Sequence, residues 1–203
     1  MKKKEKYIED DPAGVVYSKI NITLHDIHAH RILFSLIKKF WLTYPGTKYF
    51  SPISVEILNN LPLLSFVPAF FQLWTLCRFC ELKQIKISSI KNSANFDILS
   101  SKSDHQRSVP FLPLDPPEEV RKIKDKTKLI VVSYDSYKDS IIRAKTTIGF
   151  SPAAGILDCT HIFRHLEASF LYKKGVSLSD ISYKMGHLHD KTTLEYIHKD
   201  WNF

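Results

Sequence analysis

The chain is poor in the features that mark secreted or membrane proteins. Its 203 residues hold three cysteines, Cys77, Cys80 and Cys159, too few and too odd in number for a disulfide framework. No apolar leader opens it, because Met1-Lys2-Lys3-Lys4-Glu5-Lys6 runs on toward Asp10 and Asp11. The longest uncharged run, residues 57–77, carries Asn59, Asn60, Pro62, Pro68 and Gln72. Prolines divide such a run, which reads as the end of one buried helix, a turn and the start of another rather than a membrane span. Internal repeats and low-complexity tracts are also missing. These absences argue against a disulfide scaffold, a membrane protein and a solenoid, and lead to the expectation of a cytoplasmic protein.

What is present is an ordinary globular composition with a basic surplus. Hydrophobic residues make up 44% and charged residues 25%, which excludes a disordered or fibrous chain. This length buries a full core without metal or disulfide staples. The 29 Lys and Arg against 21 Asp and Glu leave a formal charge of +8. Such a surplus favours a polyanionic partner, nucleic acid first and an anionic membrane surface second.

The pattern predicts a lead-in over 1–22 and a helix over 23–43 capped by Thr23 and Asp26, stopped at Pro45-Gly46. Further helices are expected over 54–60 and 67–83. The runs 85–90, 96–99 and 109–112 predict a three-stranded antiparallel sheet. A helix start is expected at Asp115-Pro116-Pro117-Glu118-Glu119, and 129–132 reads as a strand or a helix edge. Helices over 136–148, 160–174, 177–185 and 191–199 follow, with Gly175 and Gly186 as stops. The fold class is mainly α with a small three-stranded sheet, divided into 1–51, a lead-in and one helix, and 52–203, the main domain.

Three clusters have simple readings. Cys77-Arg78-Phe79-Cys80 has zinc-site spacing but lacks a second pair, so two small buried cysteines are expected. His25, His28 and His30 do not share one helix face. His161 and His165 stand four apart, yet position 162 is Ile where a zinc protease would carry its Glu.

The last quarter carries the informative residues. His161 and Arg164 form a His-x-x-Arg box, Met185-Gly186-His187 follows, and Thr192-Thr193-Leu194-Glu195-Tyr196 closes the set. Upstream, Arg78 and Glu81 stand in Leu76-Cys77-Arg78-Phe79-Cys80-Glu81-Leu82, and Lys102 precedes Arg107-Ser108-Val109-Pro110. In order and spacing, over about residues 52–200, these resemble the catalytic domain of the tyrosine recombinases, the phage-integrase family. The resemblance implies a recombinase or integrase that cuts and rejoins double-stranded DNA through a 3′-phosphotyrosine, as a homo-oligomer on DNA, with no cofactor and no metal. It implies work on mobile DNA elements and a nucleoid-associated, cytoplasmic place.

The chemistry suits those residue types. A phosphodiester under attack gathers charge on its non-bridging oxygens, which the guanidinium groups of Arg78 and Arg164 can hold bidentately, with His187 donating a further hydrogen bond. Tyr196 is the expected nucleophile, and the resemblance makes His161 its base. Lys102 would protonate the departing 5′ oxygen. Tyr172 and Tyr183 fit no box and are expected to pack, and His165 is expected to be a structural partner. Glu81 is the alternative, purely structural partner of a buried Arg78.

The chain departs from the family in three ways. The part before residue 52 holds one expected helix where the family carries a DNA-clamping domain. Seven residues follow Tyr196, where the family carries a helix that docks into a neighbouring protomer. Cys77 stands where glycine is usual and Glu167 where an apolar residue is usual. The assembly parts are therefore expected to be shortened. Two other readings share the site: a type IB topoisomerase-like enzyme, and a non-cutting DNA-binding regulator of recombination sites.

Overall fold

Thr23 and Asp26 cap each other at the start of α1 (Leu24–Thr43): Asp26 Oδ2 accepts from the Thr23 amide at 3.1 Å, and Thr23 Oγ1 accepts from the Asp26 amide at 3.1 Å. The structure, a computed structural model, describes residues 22–43, 49–102, 105–111, 116–151 and 159–203. The expected lead-in and the Pro45-Gly46 stop lie outside them, apart from Ile22. Ala29, Leu33, Ile37 and Phe40 form the buried stripe of α1, which packs on α3 (Leu63–Thr75). Ser51 caps α2 (Pro52–Asn59) through its Oγ, and Pro62 stands at the entry of α3. An aromatic nest joins α1 to α3: ring centroids lie 5.6 Å apart for Phe40 and Trp74, 5.5 Å for Trp41 and Phe70, and 5.8 Å for Phe50 and Trp74.

The expected long helix over 67–83 is two elements. α3 ends at Thr75, Leu76 takes a left-handed backbone (φ 51°), and a 3₁₀ turn, Phe79–Gln84, follows. The groups that would continue the helix are used otherwise. Arg164 takes the Leu76 carbonyl, and Glu81 Oε2 accepts the Arg78 amide at 2.9 Å.

The sheet has two strands among the described residues, not the three expected. β1 (Phe96–Leu99) and β2 (Gln106–Val109) pair antiparallel, with Phe96 opposite Val109 and Ile98 opposite Arg107. The run 85–90 instead forms α4 (Ile87–Lys91), which buries Ile87 and Ile90 on one helical face. Of 109–112, Val109 ends β2 and Leu112 lies outside the described residues.

α5 (Glu118–Arg121) starts at Pro117 as expected. Residues 129–132 form neither strand nor helix, yet Leu129 and Val131 are buried. α6 (Tyr134–Thr147), α7 (Ile162–Lys173) and α8 (Leu178–Met185) match expectation, with Gly175 and Gly186 at φ 81° and 71° as stops. α9 (Asp190–Leu194) is shorter than expected, so Tyr196 lies just past its end rather than on it. The chain turns there because Ser169 Oγ donates to the Tyr196 carbonyl at 3.1 Å and accepts the His198 amide at 2.8 Å.

Candidate active site

Arg164 is wholly buried on α7, and its terminal nitrogens tie three segments together. Nη1 donates to the Leu76 carbonyl, and Nη2 donates to the Met185 carbonyl at 3.1 Å and to His187 Nε2 at 3.0 Å. A guanidinium only donates, so His187 Nε2 accepts and Nδ1 carries the proton. That proton meets Thr193 Oγ1 at 2.8 Å, and Thr193 Oγ1 lies 2.6 Å from Ser182 Oγ. Burial, then the charges of Arg164, Arg78 and Arg107, push His187 down to about 3, so the ring is neutral. Burial and Arg78 likewise lower Arg164, to about 10.

Glu81 organises a second group. Its Oε1 accepts from Arg78 Nη1 at 2.8 Å and the Ser101 amide at 3.0 Å; its Oε2 accepts from the Arg78 amide at 2.9 Å and Arg107 Nη2 at 3.2 Å. Burial raises its pKa, but the charges of Arg164, Arg107 and Arg78 overcome this and hold it at about 2. Arg78 Nη1 also donates to Ser100 Oγ at 3.2 Å. Three guanidinium groups thus face one carboxylate. The buried Nε atoms of Arg78, Arg107 and Arg164 and Nη1 of Arg107 find no partner among the described residues. The surplus of positive charge around Arg78 and Arg164 suits an oxyanion.

Tyr196 is half-buried beside this group. The Arg164 guanidinium lies over its ring at 5.3 Å. His165 stacks on the ring at 4.5 Å, with His187 at 5.3 Å and His161 at 6.3 Å. His165 Nδ1 is 3.0 Å from His198 Nε2, and His198 stacks on Trp201 at 4.2 Å. Trp201 meets Phe150 at 5.8 Å and Phe203 meets Phe170 at 5.6 Å, so the segment after Tyr196 lies on α7 and its surroundings.

The fold therefore gathers Arg78, His161, Arg164, His187 and Tyr196 around one spot, while Lys102 is exposed on the turn after β1. The sequence reading gave no site role to Arg107, Thr193, Ser182 or Ser100. A signal for Arg107 existed: an arginine at a position where strand alternation demands an inward side chain. The other clusters resolve simply. Cys77 and Cys80 are buried, with Cys80 Sγ 3.7 Å from Ser101 Oγ; His25 lies 3.0 Å from Thr127 Oγ1, His30 is buried at 3.2 Å from the Lys128 carbonyl, and His28 is exposed. The unusual Glu167 is buried and accepts the Ser51 amide at 2.9 Å, binding α7 to the cap of α2.

A mainly helical domain with a small antiparallel sheet, holding a tyrosine against clustered arginines and histidines, defines the catalytic-domain class of tyrosine recombinases. The chain belongs to that family: the model of the phage integrase family matches residues 65–202. No curated protein matches the chain. Solved structures share the fold at low identity. A lambda integrase (75–356) dimer bound to a COC′ core site has a TM-score of 0.55 at 18% identity, over 74% of this chain and 60% of that one. The catalytic domain of bacteriophage HP1 integrase gives 0.51 at 21%, over 72% and 84%. XerH recombinase in a post-cleavage complex with difH gives 0.57 at 19%, over 73% and 47%. The chain thus spans 60% and 47% of the lambda integrase and XerH chains, less than two thirds of each. Among the described residues, no helix is long and apolar enough to cross a membrane.

Proposed function

We propose that this protein is a site-specific DNA recombinase or integrase that cuts and rejoins duplex DNA, as an oligomer, through a covalent link to Tyr196. The observation that carries this reading is the Tyr196 ring with the Arg164 guanidinium over it at 5.3 Å and His165 stacked on it at 4.5 Å, beside the arginine cluster. Among the described residues the Arg78 guanidinium bonds the protein through Nη1, to Glu81 and Ser100, leaving the Nε–Nη2 edge for two oxygens of one phosphate. Tyr196 Oη attacks phosphorus and gives its proton to His161. The P–O5′ bond breaks, and the 5′ oxygen takes a proton from Lys102, which the β1–β2 turn must carry in. Reversal by a 5′ hydroxyl rejoins the strand, since the phosphotyrosine keeps the ester bond. Arginines supply the charge stabilisation.

His187 has a different part from a direct donor. With Nε2 accepting from Arg164 and Nδ1–H given to Thr193, the neutral ring aims the guanidinium.

The test uses duplexes with a randomised core and a 5′-bridging phosphorothiolate at one central step, whose thiol product does not rejoin efficiently. The expected result is a protein–DNA adduct on a denaturing gel, absent with Tyr196→Phe. Sequencing the trapped DNA returns the preferred site. Binding to these duplexes without any adduct would favour the regulator reading and overturn this one.

A further inference from the structure

Arg107 has no part in the chemistry above, yet it is among the most deeply buried side chains of the protein. Strand alternation turns it inward, opposite Ile98, on the face that also buries Phe96 and Val109. Its side chain is 0% exposed, and Nη2 donates to Glu81 Oε2 at 3.2 Å. Nε and Nη1 find no partner among the described residues. A buried cation with two uncommitted donor groups is unfavourable for folding and needs a reason.

Gly186 shows how closely the fold is built around this group. A Cβ at position 186 would lie 2.3 Å from Arg107 Nη1 and 3.0 Å from Cζ, and the residue also has φ +71°. The glycine of the Met185-Gly186-His187 box therefore does two things: it ends α8 and it leaves room for Arg107.

The electrostatic reason follows from Glu81. That carboxylate holds Arg78 at two points, its amide and Nη1. Alone it would also cancel the charge of Arg78, the charge a phosphate needs. A second guanidinium on the far oxygen offsets Glu81, so Arg78 is held without being neutralised. Full burial keeps Arg107 itself away from DNA.

We propose that Arg107 is a positioning residue of the strand-cleavage site: through Glu81 it sets the orientation and the available charge of Arg78, and Gly186 is required to seat it. This rests on the reading of Arg78 as a phosphate-holding group. The charged groups facing Glu81 are Arg78 at the entry of its own 3₁₀ turn, Arg107 on β2 and Arg164 on α7, with the Cys77 thiol and His187 imidazole, both neutral, nearby. Removing Arg107 withdraws one of the charges that keep Glu81 ionised, so its pKa rises.

The experiment compares Arg107→Met, Arg107→Lys and Gly186→Ala with the wild type on the trapped duplex. It reads single-turnover adduct formation from pH 5 to 8, DNA affinity and the 13C titration of the Glu81 carboxyl. Arg107→Met is expected to cleave at least tenfold more slowly at saturating DNA, with affinity within threefold. Its rate, relative to wild type, should fall further as pH drops, in step with protonation of Glu81. Arg107→Lys, which keeps the charge, should restore the shape of the profile. Gly186→Ala, which keeps the guanidinium but displaces it, should reproduce the loss, and carries the test if Arg107→Met does not fold. An unchanged rate, or a slower rate with the wild-type pH shape and unshifted Glu81 titration, overturns the proposal. If the wild type itself forms no adduct, the cleavage reading fails. The Glu81 titration then decides the positioning claim: an unshifted curve in the Arg107 or Gly186 variants overturns it.

Discussion

His187 Nδ1 lies 2.8 Å from Thr193 Oγ1 while its Nε2 accepts from Arg164, so a threonine three residues before the tyrosine sets the tautomer of a ring on the preceding loop. The Thr-Thr-x-x-Tyr box thereby links the nucleophile's segment to the arginine that lies over its ring. Ser182 on α8 completes the chain of hydroxyls at 2.6 Å from Thr193.

Thr193→Val keeps the shape and removes the acceptor. It leaves the His187 Nδ1–H buried without a partner, a loss of about 1–3 kcal/mol. Adduct formation is expected to slow by roughly 10- to 100-fold where that loss is felt in the transition state. In 15N spectra the wild-type ring should show the Nδ1–H tautomer and stay neutral to pH 4, because burial and the arginines hold it at about 3. A mixture of tautomers in the wild type would contradict this account.

Lys102→Ala should block cleavage of ordinary DNA but leave cleavage of the 5′-phosphorothiolate within a few-fold of wild type. A thiol leaves with a pKa of about 8.5 and needs no proton from an acid. Equal loss on both substrates would mean that Lys102 holds the phosphate and does not protonate the leaving group.

Glu167→Gln tests stability against pH. Burial raises Glu167 from 4.5 to about 7, with Ser54, Ser51 and Lys184 opposing the rise. The folded carboxyl holds its proton more tightly than the unfolded one, so the native state binds more protons between these values. Stability therefore falls as pH rises from 4.5 toward 7, then levels off. Gln keeps an acceptor for the Ser51 amide and cannot ionise. Urea unfolding should find the variant more stable than wild type at pH 8, on the order of 3 kcal/mol, and nearly equal at pH 4.5.

Gln72→Leu should be strongly destabilising. Gln72 accepts the Tyr137 hydroxyl at 2.7 Å and donates to the Thr160 carbonyl at 2.9 Å, bridging α3, α6 and the approach to His161. The change strands two buried polar groups, which together cost about 2–6 kcal/mol, read as a lower urea midpoint at unchanged m-value.

Most helices were legible because their caps and stops are local. Thr23 with Asp26, Ser51, Ser133, Ser177, Gly175 and Gly186 act within a few residues of where they stand. The misreadings fall where distant partners compete for the backbone. The helix over 67–83 breaks because Arg164, 88 residues away, takes the Leu76 carbonyl. The last helix stops before Tyr196 because Ser169 on α7 ties down the backbone beyond it. Ile85 and Ile87 alternate as a strand would, but the burial of Ile87 with Ile90 selects the helical period.

The sequence by itself determined the family, since six chemically demanding residues stand in order at fixed spacings and need no folding to be seen. It also determined the helical character of the domain, through local periodicity and capping. Only the tertiary structure decided how those residues work together. Glu81 sits between Arg78 and Arg107, His187 is neutral, and Glu167 binds the cap of α2. These depend on burial and on charges brought close from separate elements, and a buried group's charge state is a property of its surroundings rather than of its place in the chain.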